Sequence, residues 1–551
     1  MVHNLQKYKT DFLFVPLGGA NEIGLNANLY HYQGKWLMVD CGNGFADDIP
    51  GVKILLPDLK FIIQKRTNLL GLFVTHAHED HMGGIPHLIS ELQCPIFTTR
   101  FPANLLKLKL LDYDLPYSPE IVIIEPDSKL SLKPFEIQTV SLTHSSPEMQ
   151  GLVIKTEKGN VFHTGDWKFD PGPVIGPVSN KNLVQSCAKE GFLALVCDST
   201  NVFSTGRAAS EEDLQKSLMD LIKSCPNLVL VTTFASNLAR VASILIAAKE
   251  SSRKVVLTGR SIDRMIKAAN ASGYVFDMDN IIDDQDIPRY PRNEILVIAT
   301  GCQGEENAAT RRIVDGAHPI KLKADDTVIF SSKIIPGNEK LIGHIMNRLA
   351  ISGITVLTEK SHFVHTSGHP CQEDLKEMYK MVNPRISIPV HGEPAHIYRH
   401  AEFAKSLGVK HALTVENGSV VKLDAANPEI LGNVHNGYLA VDGCVTMPTS
   451  APILQTRKIL LNAGAIIVTL LLDNKKHKLT HPPIFTSPGC LDEHIDKELI
   501  KELSGQVRRI VDGSRQLRQD LHKNIKKYLK KIILSRLGKS PLIMVNTVNV
   551  I

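Results

Sequence analysis

The sequence predicts a multidomain α/β protein, and three observations lead to this fold class. The first two hundred residues hold short β-rich runs, among them KWLMVD and GLFVTH, which end in glycine or polar residues, as do strands that carry loops at a sheet edge. From about residue 207, strand patterns alternate with helical patterns, which is typical of a parallel β-sheet. The length of 551 residues, with 43% apolar side chains, is enough for about three folding units.

The predicted elements follow one another in chain order. The first part contains the strands DFLFVPL, KWLMVD, LLGLFVTH, FEIQTVSLTH, GLVIKTE, NVFHTGD and LALVCDST. The alternating part contains the strands NLVLVTTF, KVVLTG, EILVIATG and DTVIFSSK, with helices between them such as SNLARVASILIAAKES. The strands ITVLTE and RISIPVHGE come next, each before a further helix. The two prolines of VTMPTSAP then indicate a linker, beyond which a small α/β domain is predicted from IIVTLLLD, two helices and LIMVNTVNV.

The composition excludes several classes of protein. Nine cysteines lie far apart and form no Cys-x-x-Cys pair, so neither a disulfide framework nor a thiolate zinc site is predicted. The first residues lack the apolar stretch of a secretion signal. The longest apolar run, from Ile459 to Leu472, is shorter than the ~20 residues that span a bilayer. We therefore expect a cytoplasmic protein that does not insert into membranes.

Charge is distributed unevenly along the chain. The whole sequence carries 62 Lys and Arg against 57 Asp and Glu, whereas residues 501–540 carry twelve against three. Two interpretations of the segment QLRQDLHKNIKKYLKKIILSRL are open: it binds a polyanion, or its charges are merely solvated on the outer face of an amphipathic helix. The inner face of such a helix would consist of Leu517, Leu521, Ile525, Tyr528, Leu529, Ile532 and Ile533.

The strongest chemical signal is a histidine-rich loop, THAHEDH, directly after the apolar run GLFV. Alternate residues of an extended chain point the same way, so His76 and His78 can bind one metal ion. Asp80 and His81 lie at the turn that follows and can face a second ion. Imidazole and carboxylate groups suit Zn²⁺, or Mn²⁺ where carboxylates dominate.

Further candidate ligands stand at the ends of other predicted strands. His144 ends FEIQTVSLTH, Asp166 ends NVFHTGD and His391 follows RISIPV. Asp166 is predicted to bridge two ions, one bound by His76, His78 and His144 and the other bound by Asp80, His81 and His391. Two ions ~3.5–4 Å apart favour hydrolysis by in-line displacement over redox chemistry.

This HxHxDH loop, with its later His, Asp and His, resembles the metallo-β-lactamase superfamily. Asp40 in LMVDCG resembles the aspartate that orients the metal loop there. Asp198 in CDST, His369 in HTSGH and His391 in PVHGE resemble three motifs of the nucleic-acid-processing β-CASP branch. Within that branch the chain is similar to the ribonuclease J family over essentially its whole length. The matching segments occur in the family's order: GGANEIGLN, THAHEDHMGG, HTGDWKFD, CDSTN, TFASN, TGCQGE, IPGNE, HTSGH and PVHGE.

The resemblance implies a domain organisation. A metallo-β-lactamase αββα sandwich is expected in two parts, residues 1–206 and 360–444, with a β-CASP α/β domain inserted at 207–359. A linker at 445–457 and a small C-terminal α/β domain at 458–551 complete the expected arrangement.

The resemblance also implies an activity. It indicates a two-metal ribonuclease of rRNA processing and mRNA decay, a 5′-to-3′ exonuclease that prefers 5′-monophosphate ends and also acts as an endonuclease on single-stranded RNA. The histidine at position 391 favours RNA over DNA. Two Zn²⁺ per chain are expected, with Mn²⁺ or Mg²⁺ as alternatives, in a homodimer or homotetramer.

Site roles follow from the same resemblance. Asp80, Asp198 and His369 are the expected catalytic residues, and His369 is expected to donate a proton to the leaving 3′ oxygen or to stabilise the scissile phosphate. The 5′ phosphate and the RNA are expected to contact Ser236, Asn237, His365, Thr366, Ser367, Gly368 and His369. Ser236 and Asn237 stand where a strand passes into a helix, whose free N–H groups suit an anion. An ordinary helix N-cap is the alternative for Ser236.

Two other functions remain open at this point. One is a hydrolase of the same fold that acts on DNA, a thioester or a lactam, and the other is a non-catalytic RNA-binding subunit. The inserted α/β segment, HTSGH and PVHGE count against a small-molecule hydrolase. The completeness of the candidate ligand set counts against a degenerate subunit. Metal content separates the two classes, because an enzyme should carry bound ions.

Overall fold

A computed structural model describes residues 5–46, 48–473, 478–513 and 518–550. The chain forms two compact units. The first comprises Met1–Gly44 with Leu56–Gly437, and the second comprises Phe45–Leu55 with Tyr438–Ile551. Every candidate site residue named above lies in the first unit.

The first unit contains two sheets whose inner faces share one core. The eight-stranded sheet has the order Glu429–Asn433, Ser419–Lys422, Leu13–Gly18, Ala27–Tyr32, Lys35–Val39, Leu69–Phe73, Ile96–Thr98, Ile121–Ile123. The seven-stranded sheet has the order His411–Ala412, Ile386–Val390, Ala194–Asp198, Gly159–His163, Gln150–Thr156, Phe135–Ser141, Lys129–Leu132. Alternate side chains point inward, so Phe14 and Tyr30 of the first sheet pack with Ile154 and Val196 of the second.

Helices accompany these two sheets. Ile85–Leu92 shows the reason most clearly, since its apolar residues recur with a helical spacing and are buried. Gln372–Val382 buries Leu375 and Met378 in the cluster that contains Val153 and Leu195 of the seven-stranded sheet. The remaining helices are Lys60–Ile63, Glu79–Met82, Arg100–Leu110, Lys181–Ala188 and Pro394–Ser406, with 3₁₀ turns at Leu5–Tyr8 and Arg66–Asn68.

A third sheet is formed by the alternating part of the sequence. Its five parallel strands have the order Lys254–Thr258, Ile295–Ala299, Val229–Thr232, Thr327–Phe330, Thr355–Leu357. Its helices are Glu211–Ser224, Leu238–Glu250, Arg260–Ala271, Ala309–Val314 and Glu339–Ile351, with 3₁₀ turns at Asp284–Arg289 and Arg292–Glu294. The predicted alternation of strands and helices is therefore confirmed.

The third sheet is an insertion between two neighbouring strands of the seven-stranded sheet. Ala194–Asp198 pairs in parallel with Ile386–Val390, and the register places Asp198 opposite Val390. The whole α/β segment lies between these two strands in the chain. This pairing brings the carboxyl end of a late strand, with His391, beside the carboxyl end of an early one.

The second unit contains the smaller α/β part. Strands Gly44–Phe45 and Ile54–Pro57 border its first segment, and a hairpin joins Tyr438–Asp442 to Val445–Pro448. Its other elements are the helices Pro452–Ala463, Lys497–Asp512 and Arg518–Leu537 and the strands Ala465–Asp473, Lys478–Leu479, Ile484–Thr486 and Leu542–Val550. Residues 445–457, predicted as a linker, thus include a strand and the start of a helix. Their prolines fit, since Pro448 ends the strand and Pro452 begins the helix.

The predicted amphipathic helix is present as Arg518–Leu537. Its buried residues are Leu521, Ile525, Leu529 and Ile533, which join the core with Ile466 and Val545 of two parallel strands. Leu517 lies outside the described residues. Among the described helices, none combines the length and the apolar composition that a membrane crossing requires.

The helix Pro394–Ser406 carries a buried histidine that makes the stability depend on pH. His400 donates or accepts through both ring nitrogens, at 2.9 Å from Ser199 Oγ and 2.9 Å from Tyr379 Oη. Burial lowers its pKa to about 4. As the pH falls, His400 therefore binds a proton near pH 6.5 in the unfolded chain but only near pH 4 in the folded chain.

We therefore expect His400 to cost up to about 3 kcal/mol of unfolding free energy as the pH falls from 6.5 to 4. Urea unfolding over this range, with a chelator in every sample so that metal loss does not contribute, measures the effect. His400→Gln should make the pH dependence less steep by about this amount, although other buried histidines such as His78, with a pKa of about 4, still contribute. The exposed control His362→Gln should leave the dependence unchanged. An equally steep dependence in His400→Gln would contradict this prediction.

Candidate metal centre

The histidine-rich loop begins where strand Leu69–Phe73 ends, at the edge where the strands of the sheet carry their loops. Thr75 donates its backbone N–H to Asp40 Oδ1 over 2.8 Å, and its hydroxyl also contacts that carboxylate. His76 Nδ1 lies 3.1 Å from Thr75 Oγ1. After His78 the chain turns into the short helix Glu79–Met82, which presents Asp80 and His81. The hydrogen bonds between Thr75 and Asp40 thus fix the buried start of the loop.

The first group of candidate ligands consists of His76, His78, His144 and Asp166, whose ligand atoms lie within 4.8 Å of one another. His144 Nε2 lies 3.1 Å from His78 Nδ1 and 3.9 Å from Asp166 Oδ2. His76 Nε2 lies 4.0 Å from the same carboxylate oxygen. The structure therefore brings these four predicted residues together from three separate parts of the chain.

The second group consists of Asp80, His81, Asp166 and His391, again within 4.8 Å of one another. Asp166 Oδ2 lies 3.1 Å from His81 Nε2 and 3.4 Å from His391 Nε2. Asp80 Oδ2 lies 3.6 Å from His81 Nε2 and 3.7 Å from His391 Nε2. Asp166 belongs to both groups, which is the geometry that a bridging carboxylate requires.

The electrostatics of the first group suit metal-binding imidazoles, and those of the second group favour positive charge beside its carboxylates. Burial lowers the pKa of His76 and His144 well below the ordinary range and that of His78 to about 4, so these rings are neutral and able to ligate. Burial opposes the ionised form of Asp166, but His391 and His81 outweigh it and hold the pKa of the carboxyl well below its usual value. Burial likewise disfavours charged His81, but Asp166 and the other nearby carboxylates raise its pKa well above its usual value.

Two buried nitrogens point to the same conclusion. His76 Nε2 and His78 Nε2 have no hydrogen-bond partner among the described residues. Buried polar atoms are nearly always paired, so such orphans need an explanation. Neutral imidazoles collected around an ionised carboxylate are a donor set that suits a metal of the zinc type. The residues present therefore fit a metal cofactor.

Asp40 orients the second group, as its resemblance implied. Its carboxylate lies 2.7 Å from His81 Nδ1, which leaves His81 Nε2 facing Asp166. Gly42 lets its own backbone lie against the backbone of Asp80, because a Cβ at position 42 would lie 1.7 Å from the Asp80 carbonyl oxygen.

Asn26 is a contributor that the sequence reasoning missed. Its side-chain nitrogen lies 3.1 Å from His81 Nε2 and 3.0 Å from His391 Nδ1, and it donates to the Asp80 carbonyl over 3.1 Å. Its segment, GGANEIGLN, is named above only as a match to the family, and nothing within the segment indicates a contact with histidine side chains. Asn26 instead contacts three parts of the second group directly.

His369 and Asp198 form a pair beside the two groups. His369 Nδ1 lies 2.8 Å from Asp198 Oδ2 and 3.9 Å from Asp166 Oδ2. Asp198 Oδ1 accepts hydrogen bonds from the backbone N–H and the hydroxyl of Thr200. Burial disfavours a charged His369, but Asp198 outweighs it and raises the pKa to about 9. His369 thus carries a proton at neutral pH.

The HTSGH loop is held firmly against this centre. Asn201 Nδ2 donates to Ser367 Oγ over 2.7 Å, and Thr366 Oγ1 donates to the Ala209 carbonyl over 2.8 Å. His144 Nδ1 donates to the Gly368 carbonyl over 2.7 Å. A Cβ on Gly368 would lie 2.7 Å from the His144 ring, so only glycine permits this contact. The candidate phosphate loop and the first metal group therefore share a hydrogen bond.

The structure places Ser236 and Asn237 at the start of helix Leu238–Glu250. Asn237, not Ser236, is the N-cap, and its side-chain oxygen accepts the Arg240 N–H over 2.9 Å. The alternative interpretation of Ser236 as the N-cap is therefore wrong, because the helix begins at Leu238 and the residue directly before it is Asn237. Ser236 is half-buried and makes no side-chain hydrogen bond with another described residue.

Arg240 is the second residue that the sequence reasoning missed. It is fully buried, pairs with Glu211 at 3.1 Å, and donates to Ser331 Oγ over 2.6 Å and to the Val364 carbonyl over 3.3 Å. Val364 directly precedes His365, so Arg240 joins the helix start to the HTSGH loop. A single arginine within a helical pattern gave no signal of this role.

Four family models match the chain in succession. The model described as "Beta-lactamase superfamily domain" matches residues 35–179, and "Ribonuclease J, beta-CASP domain" matches 227–349. "Zn-dependent metallo-hydrolase RNA specificity domain" matches 353–414, and "Ribonuclease J C-terminal domain" matches 452–550. These matches confirm the predicted fold class, a metallo-β-lactamase sandwich with a β-CASP domain and a C-terminal domain.

Full-length relatives agree with these models. A protein named Ribonuclease J from Sinorhizobium meliloti is 34% identical over 98% of both chains. Another from Thermus thermophilus is 33% identical over 96% of this chain and 94% of the relative. A solved structure titled "Crystal Structure of a Protein of Unknown Function from Enterococcus faecalis V583" has a TM-score of 0.52 at 16% identity, covers 75% of this chain and 99% of its own, and supports the fold alone. On the length and identity of these matches, the chain belongs to the ribonuclease J family.

Proposed function

We propose that the protein is a metal-dependent ribonuclease of RNA processing and decay that removes nucleotides from the 5′-monophosphate end of single-stranded RNA in the 5′-to-3′ direction. The observation that carries the proposal is the sharing of Asp166 by two groups of histidines beside the HTSGH loop. Family membership supports the hydrolase class and the RNA substrate. The direction of attack and the end preference are inferred from the loop.

Two Zn²⁺ per chain are proposed, with Mn²⁺ or Mg²⁺ as alternatives. Asp166 would hold both ions, one together with His76, His78 and His144 and the other together with Asp80, His81 and His391. Bound ions of this kind supply a nucleophile from water at neutral pH and stabilise charge on a phosphate. The orphaned nitrogens of His76 and His78 support this assignment.

The protein's own residues would do the remaining chemistry. His369, protonated and held by Asp198, can donate its proton to the leaving 3′ oxygen. Asp198 fixes the ring through its contact with Nδ1, which leaves Nε2 for the substrate. Asp80, whose side chain is 30% exposed, is open enough to accept a hydrogen bond from an attacking water.

A pocket for the terminal phosphate is proposed at the HTSGH loop and the nearby helix start. Its members are His365, Thr366, Ser367, Gly368 and His369 with Ser236 and Asn237. Burial, followed by the positive charges of Arg240, Lys333 and Lys168, holds the pKa of His365 well below its usual range. His365 Nδ1 is also buried without a described hydrogen-bond partner.

Three end-labelled RNAs, identical except for a 5′ monophosphate, triphosphate or hydroxyl, test the function. Mononucleotides should appear chiefly from the monophosphate RNA, with Zn²⁺ or Mn²⁺ present. A circular RNA of the same sequence reports internal cleavage, which is the proposed endonuclease activity. Hydrolysis of DNA or a small ester, with all four RNAs intact, would overturn the substrate assignment.

Ser367 offers a milder test of the pocket. Ser367→Ala should reduce the preference for 5′-monophosphate over 5′-hydroxyl RNA by roughly 10-fold or more, because a hydrogen bond to a charged group contributes about 1.5–3 kcal/mol. The ratio of kcat/KM values for the two RNAs measures it. Ser224→Ala, at an exposed helix end, is the control. An unchanged ratio would place the pocket elsewhere.

A cytoplasmic location and a homodimer or homotetramer are proposed as well. All nine cysteines are free thiols, which supports a reducing compartment. Ile453 and Leu461 on the helix Pro452–Ala463 are 52% and 72% exposed, and exposed apolar side chains support self-association. Light scattering during size-exclusion chromatography measures the assembly.

A further inference from the structure

The C-terminal unit carries a row of lysines on one side of a single helix. The lysine face consists of Lys523, Lys526, Lys527, Lys530 and Lys531 on helix Arg518–Leu537, and all five side chains are exposed. They recur at intervals of three and four residues, which places them on one side of the helix. The opposite side is buried in the unit's own core through Leu521, Ile525, Leu529 and Ile533.

Mere solvation does not account for this face. A solvated helix normally mixes charges of both signs, because acidic and basic side chains three or four residues apart attract each other. Here residues 521–551 contain no aspartate and no glutamate. Among the described residues, no carboxylate lies within 4.0 Å of any of the five ammonium groups.

The lysines instead repel one another. Lys523 faces Lys527, Lys526 faces Lys530, and Lys527 faces Lys531, each pair four residues apart. Like charges at this spacing destabilise a helix. A polyanion that lies along the face relieves the repulsion and displaces the counterions that the lysines otherwise hold.

We propose that the lysine face is a second RNA-binding surface, which binds the phosphate backbone of single-stranded RNA without regard to base sequence. The proposal rests on the proposed function for its partner, since an RNA substrate supplies the polyanion. A membrane surface fits less well, because a helix that lies on lipid inserts its apolar side, and here that side is covered by the unit's own core. Lysine is a flexible point charge, which suits backbone contact more than base recognition.

Salt dependence of binding tests the proposal. Binding of a long uridine homopolymer is measured at several salt concentrations, with Asp80→Ala in every protein so that the RNA stays intact. Each phosphate contact to a single strand contributes about −0.7 to the slope of log K against log salt. Replacing all five lysines by glutamine should therefore reduce the slope by up to about 3.5, so that raising salt from about 50 to 200 mM costs the parent protein roughly 100-fold more affinity than the variant.

Two control proteins make the test specific. Replacing the five lysines by arginine keeps the charge and should keep the slope. The second control removes the same number of charges elsewhere, by replacing five exposed lysines of the other unit with glutamine. Its slope should stay close to that of the parent. These lysines are Lys158, Lys189, Lys267, Lys380 and Lys410. Equal slopes for the lysine-face variant and the parent would overturn the proposal.

Cleavage by the metal-loaded protein with Asp80 intact separates this proposal from the proposed function. The lysine-face variant should cleave a pentanucleotide at the normal rate, which also shows that it is folded, and should lose at least about 10-fold in kcat/KM on the long RNA. If even the unaltered protein cleaves no RNA, the proposed function fails, while the binding slopes still decide the lysine face. A membrane, rather than RNA, would be the partner if the lysine-face variant and the parent gave equal slopes with RNA and phosphatidylglycerol vesicles bound only to the protein that keeps the lysines.

Discussion

Alanine in place of Asp166 is expected to lower RNA cleavage at least about 10³-fold while RNA binding remains. Asp166 is the one carboxylate that belongs to both candidate ligand groups. Bound ions contribute several kcal/mol to a phosphate-cleaving step, and each 1.36 kcal/mol is a factor of ten in rate. Single-turnover cleavage of a labelled 5′-monophosphate RNA measures the loss.

Metal content sharpens this expectation. Asp166→Ala should lose both ions, whereas His78→Ala should lose only the ion of the first group and His391→Ala only that of the second. Elemental analysis of the purified variants counts the ions. Asp114→Ala removes an exposed carboxylate elsewhere and should change neither metal content nor rate. Full metal content in Asp166→Ala would disprove a shared ligand.

The replacement of Arg240 by methionine is expected to reduce the unfolding free energy by about 3–5 kcal/mol. Glu211 would then lose its partner in a site where both side chains are at most 2% exposed. Such a loss is a large share of the stability of an ordinary domain. The same variant should also weaken the 5′-monophosphate preference, because Arg240 joins helix Leu238–Glu250 to the residue before His365.

Urea unfolding of a double variant separates lost charge pairing from lost packing. In Arg240→Met/Glu211→Leu no buried charge is left alone, so much of the stability should return. Lys216→Met breaks the exposed pair with Glu212 in helix Glu211–Ser224 and should cost less than about 1 kcal/mol. If Arg240→Met unfolds at the same urea concentration as the parent, the pair contributes nothing to stability.

The fully buried apolar strands of the fold could be predicted from sequence, whereas two partly buried edge strands could not. Val229–Thr232 and Ile295–Ala299 are buried on both faces and appear as uninterrupted apolar runs. Ile121–Ile123 and Lys129–Leu132 each stand at the end of a sheet and are only partly buried, and neither run is among the strands that the sequence predicts. Pairing with a neighbour, rather than local preference, makes them strands.

The site divides along a similar line. The histidines of the metal loop could be predicted because several ligands fall within one short segment and at strand ends. His369 and Asp198 depended on a family resemblance, since neither has a local signal. Asn26 and Arg240 act through partners that are far away in the chain, 365 residues for Asn26 with His391 and 124 residues for Arg240 with Val364. Contacts between residues so far apart cannot be predicted from the pattern of a short sequence segment.

The pairing of strand Ile386–Val390 with Ala194–Asp198 also has a consequence during synthesis of the chain. His391 follows His76 by more than three hundred residues, and a ribosome needs on the order of tens of seconds to add them. Until then the second ligand group lacks a member, and the loop that must close is among the longest in the unit. A nascent chain without His391 therefore has an incomplete second ligand group, and we expect nuclease activity only after the inserted domain has been made and its two flanking strands have paired.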